Sequence, residues 1–284
     1  MTEQASQSEY LDPQDANLSL VSLKPLDLKQ PPKLGQRFLG FTGIIVFLAL
    51  WQILPWVGIF NREFIPTLFD VLSEAGKLVK TGELFIHIAS SLERALVGLV
   101  LAIIVAIPAG VALAGLFPRL TRFLTPLLAL LGNINPFALF PLFILLFGVG
   151  EPAKYAIIFW SSLFPMLNFT ILGVTQLDPT LLKAARSMGA DRRETFWKVI
   201  LPGSLPSIFT GFRLGATTAF LFLIAAEMLS SNSGMGYLVH NSSFNYLIPK
   251  LYVGVLGIAI LGMLLLKVID KLEALFLAYK EETL

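Results

Sequence analysis

The chain has 284 residues, of which 55% are hydrophobic and only 14% charged, with no cysteine and a formal net charge of +2. An ordinary soluble domain is about a quarter charged, so the composition excludes a soluble globular protein, and the near balance of charge excludes an electrostatic nucleic-acid surface. The lack of any thiol excludes disulfide, zinc-thiolate and iron–sulfur chemistry.

In chain order, residues 1–37 read as an N-terminal tail, polar at first, of mixed charge and without the basic-then-apolar pattern of a signal peptide. Pro31-Pro32 stops a helix from running straight through into the first apolar stretch. A hydrocarbon core of about 30 Å needs roughly 20 apolar residues as helix. Six stretches meet that need: residues 38–61, 95–118, 123–150, 155–177, 199–226 with only Arg213 inside, and 251–266, extendable if Lys267 snorkels to the interface. Each must be helical, because a lipid-exposed backbone has to satisfy its own hydrogen bonds. Trp51 and Trp56 sit where an aromatic belt anchors the first. Residues 62–83 mix apolar and charged side chains and predict an amphipathic segment lying against the bundle. The expected fold class is therefore an all-α integral membrane domain over residues 38–274, followed by a short tail, 275–284.

Six spans place both termini on one side, and the positive-inside rule chooses that side. The tails and the second and fourth loops hold fourteen Lys and Arg residues, against five (Arg62, Lys77, Lys80, Lys154 and Lys250) in the opposite loops. Both termini are expected in the cytoplasm.

The fourth loop, residues 178–202, is long and reads as two short helices. Asp178 suits an N-cap with Pro179 in the first position. Gly189 suits the left-handed residue beyond a helix end. Asp191 and Glu194 have capping-box spacing, and Pro202 is expected to close the second helix. On the first helix Leu181, Ala185 and Met188 share a face with Ala184 beside it, an apolar knob on a basic surface. The residues alone allow two readings, a rigid force-transmitting hairpin or an amphipathic loop on lipid headgroups.

The spacing of Lys183-Ala184-Ala185, Gly189, Val199 and Leu201-Pro202 resembles the E-A-A-x3-G-x9-I-x-L-P coupling motif of binding-protein-dependent ABC importer permeases. The segments from Pro202 to Gly215, from Ala225 to Leu229 and from Ser90 to Arg94 are similar to the nitrate/sulfonate/taurine (bicarbonate) branch of that superfamily. Lys183 stands where the motif has Glu, and Val199 where it has Ile. The resemblance implies a six-helix type I importer permease in the bacterial cytoplasmic (inner) membrane, importing a small anion such as nitrate, taurine or another sulfonate, or bicarbonate. It implies that Leu181, Ala184, Ala185, Met188, Gly189, Leu201 and Pro202 dock a separate ATPase subunit, which binds the ATP and magnesium, so that this chain holds no cofactor and is not itself an enzyme. The further partners implied are a periplasmic or lipid-anchored substrate-binding protein and a second copy of the chain. The same machinery importing an uncharged heterocycle is the alternative, and an ion-coupled secondary carrier is a more distant one. No G-x-x-x-x-G-K-[ST] phosphate loop occurs, and the fragment from Gly148 to Lys154 has the wrong spacing.

A charge inside a span is costly and marks a candidate site. Arg213 and Glu227 lie 14 positions apart in the fifth span, about 40° short of four turns and about 21 Å apart, so they share a face, with Thr217 beside them. They and Arg94 are candidate linings of a translocation path. Each also has a structural reading: snorkelling or capping for Arg213, a bond to the following loop for Glu227, an intrahelix or interhelix partner for Arg94, which stands beside Glu93. Asn133, Asn135 and Pro136 suggest a bent, hydrated stretch of the third span facing that path, or asparagines bonding between helices. His87 and His240 lack metal-site spacing, and the serines and asparagines of the last loop lack a base for nucleophilic catalysis.

Overall fold

The computed structural model describes residues 33–58, 61 and 63–277, and the side chains from residue 42 onward. The expected tail as far as residue 32, Arg62 and Lys280 lie outside the described residues. By its contacts the chain divides into residues 1–51 and 52–284. Helix α1, Lys33–Trp56, runs across that division, and in its first part the rings of Phe47 and Trp51 pair at 6.1 Å.

In the second unit the helices are α2 (Leu68–Lys80), α3 (Glu83–Gly115), α4 (Pro118–Gly132), α5 (Pro136–Phe147), α6 (Glu151–Thr175), α7 (Pro179–Ser187), α8 (Arg192–Thr195), α9 (Leu201–Ser230), α10 (Met235–Phe244) and α11 (Ile248–Leu277). Among the described residues there is no strand. Helices α3, α6 and α11 and the continuous run from α8 through α9 are each long and apolar enough to cross a membrane, and α4 with α5 makes a fifth such span if the bent pair is counted as one. Residues 42–56 of α1 are apolar over a shorter length.

The core is α6 held between α3 and α9. Small residues let the helices meet closely: Ala102, Ala106, Ala153 and Ala216 are fully buried beside Ile157 and Ile158. A Cβ on Gly211 of α9 would come within 2.6 Å of the Phe169 Cβ of α6, so this contact requires glycine. Pro165 lacks the N–H that would bond the Ser161 carbonyl within α6, and Thr218 of α9 donates its hydroxyl to that carbonyl at 3.0 Å instead.

Two expectations are corrected. The third stretch bends where Asn133–Pro136 predict, but the bend is a break between two helices rather than one bent helix: α4 and α5 meet at 89°. Asn133 ends α4 and donates its Nδ2 to the Ala129 carbonyl, and Asn135 caps α5 by accepting from the Phe137 N–H at 3.0 Å. With Pro136 next, this Asn-x-Asn-Pro run supplies a C-cap, an N-cap and a first-turn proline in four residues, which favours two helix ends over one continuous helix. Pro202, in turn, does not end a helix. Residues Phe196–Ile200 form a π-turn in which the Leu201 N–H bonds the Phe196 carbonyl, and the helix continues into α9. The wider π-turn shifts the hydrogen-bond register and leaves room for the prolyl ring in the first turn of α9.

The amphipathic segment between the first two apolar stretches is α2, started by a capping box of Thr67 and Asp70. It buries Val71 and Leu78 and leaves Phe69 and Leu72 exposed.

Candidate functional site

Helix α7 is built as the spacing predicts. The Asp178 carboxylate accepts from the Thr180 N–H at 2.8 Å, Pro179 takes the first position, and Gly189 adopts φ of 84° just beyond the end. The N–H bond from Thr180 holds the Asp178 carboxyl below its ordinary range. Asp191 and Glu194 then form a capping box, with the Glu194 N–H donating to Asp191 at 2.6 Å. Of the apolar knob only Ala185 is buried; Leu181 is 53% and Met188 82% exposed, and Ala184 and Gly189 are open as well. Leu201 and Pro202 are half-buried. Lys183, Arg186, Arg192 and Arg193 have no carboxylate partner among the described residues, whereas the acids of this segment are occupied by caps or, for Glu194, by Lys198 at 2.8 Å. An exposed apolar ridge ringed by unpaired cations results.

Far along the chain from that ridge, residues 87–94 of α3, the first turn of α6 and the last turn of α9 converge on Arg94. Every N–H of its guanidinium is used. Nε and Nη2 fork onto the Glu151 carboxylate at 2.7 and 2.9 Å, Nη1 donates to Glu227 at 2.8 Å and to the Ser233 carbonyl at 2.7 Å, and Nη2 also reaches Ser233 Oγ at 3.0 Å. Glu227 is fully buried and accepts in addition from Ser91 Oγ and from the Gly236 N–H. The Met235 N–H donates to Ser91 Oγ, the Gly234 N–H donates to His87 Nδ1, and Lys154 donates to Glu151 at 2.9 Å. Two cations face two carboxylates, so the cluster is neutral when all four are ionised. Its geometry fastens residues 233–236, and with them the start of α10, to α3, α6 and α9. The cluster is a clamp in form.

The path candidates are distributed differently from a single stripe. Glu227 faces α3, while Arg213 is half-exposed and pairs with Asp270 at 2.7 Å and with Glu273, both on α11. Thr217 is exposed and donates to the Arg213 carbonyl. Asn133 and Asn135 are exposed at the bend and Pro136 is half-buried. The structure therefore brings Arg94 and Glu227 together and leaves Arg213 with Thr217, and the bend, elsewhere. The pairing of Arg94 is not with its neighbour Glu93, whose carboxylate takes the Tyr155 hydroxyl at 3.3 Å. Sequence reasoning missed Glu151, His87, Ser91, Ser233, Gly234 and Gly236. One signal was there: His87, Ser91 and Arg94 follow i, i+4, i+7 spacing, a polar stripe on an otherwise apolar helix.

Residues 98–277 match the family described as the binding-protein-dependent transport system inner membrane component. The chain is 30% identical over 239 residues to the taurine transport system permease protein TauC of Escherichia coli (strain K12), covering 82% of this chain and 86% of that protein. It is 32% identical over 235 residues to the putative aliphatic sulfonates transport permease protein SsuC of Bacillus subtilis (strain 168), covering 83% and 85%. Its fold is similar to that of a chain of the MetNI methionine ABC transporter in an inward-facing conformation, with a TM-score of 0.60 over 69% of this chain and 97% of that one at 16% identity. The chain belongs to the binding-protein-dependent transport system inner membrane component family. Relatives in the family include permeases named for taurine, aliphatic sulfonates and nitrate, and the chain shares the fold of the type I ABC importer MetNI.

Proposed function

We propose that this chain is the membrane half of an importer that moves a small anion into the cytoplasm, driven by a separate ATPase docked on residues 178–202. The observation that carries the reading is the ridge of Leu181 and Met188, exposed on a helix whose caps are complete and whose basic residues have no carboxylate partner among the described residues. A solvated loop gains nothing from an 82% exposed methionine at its tip, whereas a partner groove gains the burial of both side chains, about 1.5–3 kcal/mol each. Leu181, Ala184, Met188 and Gly189 make the contact in this reading, Ala185 is buried beneath them and seats the helix, and Leu201 and Pro202 pass its motion into α9 through the continuous helix.

The exposed amides of Asn133 and Asn135 at the α4–α5 bend support a path beside α6 and α9, because amides facing lipid at that depth would be costly. Arg213, Thr217 and the cluster of Arg94 and Glu227 lie toward its two ends. A second copy of this chain completes the path, a substrate-binding protein outside the cytoplasmic membrane delivers the cargo, and both termini lie in the cytoplasm. Transport is then a two-state shift in which each partner must prefer one conformation.

The test is uptake together with association. Gly189→Pro or Ala185→Trp is expected to abolish transport and recovery of the ATPase with this chain while membrane insertion stays normal. Undiminished ATPase association in both variants would remove the coupling assignment. Glu227→Gln is expected to alter substrate-stimulated ATP hydrolysis more than expression.

A further inference from the structure

Viewed down its axis at about 100° per residue, α7 has unlike flanks. Ala185 is buried and Leu182 half-buried, so the sector between them faces the rest of the chain. From the middle of that sector, Leu181 and Met188 lie about 80° to one side, and Lys183 and Arg186 about 100° to the other. All four are exposed. The edge turned away from the chain holds only small side chains, those of Thr180, Ala184 and Ser187, so the backbone can approach a partner closely there. One flank is therefore apolar and the other cationic. Lys183 stands where the coupling motif has Glu, so the cationic flank belongs to this chain and not to the motif.

Lipid headgroups are the other anionic surface open to a basic loop, and the register of α6 against α9 puts them out of reach. Gly211 lies on Phe169 and Gly173 on Ser207, antiparallel pairs that set Thr175, the end of α6, level with Leu205. From there the helical run continues back through the π-turn to Arg192, about 20 Å further at about 1.5 Å per residue. Helix α6 has 25 residues, about 37 Å, and already exceeds a hydrocarbon core of about 30 Å, beyond which a headgroup layer adds only about 5–8 Å per side. Helix α7 packs against α8 and the π-turn, along that extension, so its flanks stand clear of the headgroups.

A partner that takes the apolar flank into a groove brings the groove's other wall against the opposite flank, one helix diameter of about 10–12 Å away. Lys183 and Arg186 then lose part of their water, a cost that carboxylates on that wall offset and neutral or basic groups do not. We infer that the ATPase taken by this chain has a groove of two unlike walls, apolar against Leu181 and Met188 and rich in carboxylates against Lys183 and Arg186, and that the carboxylate wall selects it over ATPases with a neutral or basic one, a conclusion that rests on the coupling reading of residues 178–202.

The experiment titrates the chain, in nanodiscs of phosphatidylcholine, with the purified ATPase recovered with the tagged native chain. It is run at about 0.1 M and about 1 M salt, between which the screening length falls from about 10 Å to about 3 Å. Native affinity is expected to fall about tenfold or more with that rise in salt. Leu181→Ser is expected to bind about tenfold more weakly at low salt and to keep the native salt dependence. The double variant Lys183→Glu, Arg186→Glu is expected to bind on the order of a hundredfold more weakly at low salt and to regain affinity at high salt, because like charges are then screened. A variant that fails to fold is not rescued by salt, so the opposite slopes separate repulsion from misfolding. Native affinity independent of salt, or a double reversal that leaves affinity unchanged, overturns the carboxylate wall and leaves the coupling reading intact. A loss in the double variant that occurs only when the nanodiscs contain phosphatidylglycerol assigns the cations to lipid and also overturns it. Undiminished ATPase association in both Gly189→Pro and Ala185→Trp, or no ATPase recovered with the native chain, overturns the coupling reading and the two-walled groove together.

Discussion

Arg94 on α3 and Glu227 on α9, 133 positions apart, are joined by a 2.8 Å ion pair in which the carboxylate is fully buried. Removing one partner of such a pair leaves an uncompensated buried charge, which costs about 3–5 kcal/mol. Arg94→Ala, which leaves the buried Glu227 carboxylate without a cation, is expected to lower stability in detergent by about that amount, and Glu227→Ala by less because Arg94 keeps its fork onto Glu151, both read by thermal unfolding of the purified chain. Arg94→Lys is expected to recover little, since an ammonium has three donors and cannot fork onto Glu151 while reaching Glu227 and Ser233.

Gly234 sits at φ of 111° with the Glu227 carboxylate where a Cβ would be, while Gly148 at φ of 80° has nothing within 4 Å of that position. Both have ψ near 165°, an essentially glycine-only region that costs an L residue about 1–3 kcal/mol. Gly148→Ala should show only that. Gly234→Ala must also displace a buried carboxylate from its donors, adding about 1–3 kcal/mol. Unfolding midpoints of the two variants side by side test the difference; equal losses would deny the clamp its role in holding residues 233–236.

Leu181→Ser and Met188→Ser remove exposed apolar surface and leave the caps of α7 alone. The expected result is native stability together with a tenfold or greater loss of affinity for the ATPase, from about 1.5–3 kcal/mol of lost burial per side chain. Titration of the purified ATPase against the chain in nanodiscs measures it.

The Asp178 cap sets a pH dependence. Its folded pKa lies below the unfolded value because the Thr180 N–H bonds the ionised form, so the cap's contribution is full above the unfolded pKa and is lost as pH falls through the folded one. Amide exchange at Thr180 and Leu181 should speed up relative to the core as the solution is made acidic below the ordinary aspartate range. Asp178→Asn, which keeps an acceptor but does not titrate, should flatten that dependence.

Local chemistry was legible wherever a few adjacent residues decide the outcome. The Asp178-Pro179 start, the Gly189 stop and the Asp191/Glu194 box fold as their spacing reads, because a cap is satisfied within a single turn. The bend at Asn133–Pro136 was legible as a bend, and its sharpness was not: two competing caps and a continuous apolar helix are close in local energy, and packing against α6 and α9 decides between them.

By itself the sequence determined the class of solvent, the helical class, the amphipathic α2 and the capped helix α7, since apolar length, charge placement and capping are properties of contiguous residues. Only the tertiary structure decided which charge meets which. The 14-residue interval between Arg213 and Glu227 gave them a common face on an isolated helix, yet α11 supplies Asp270 and Glu273 at one end and α3 supplies Ser91 and Arg94 at the other. Helix periodicity specifies a direction around one axis; what stands in that direction is set by how neighbouring helices pack, and that depends on close contacts such as Gly211 on Phe169 between residues far apart in the chain.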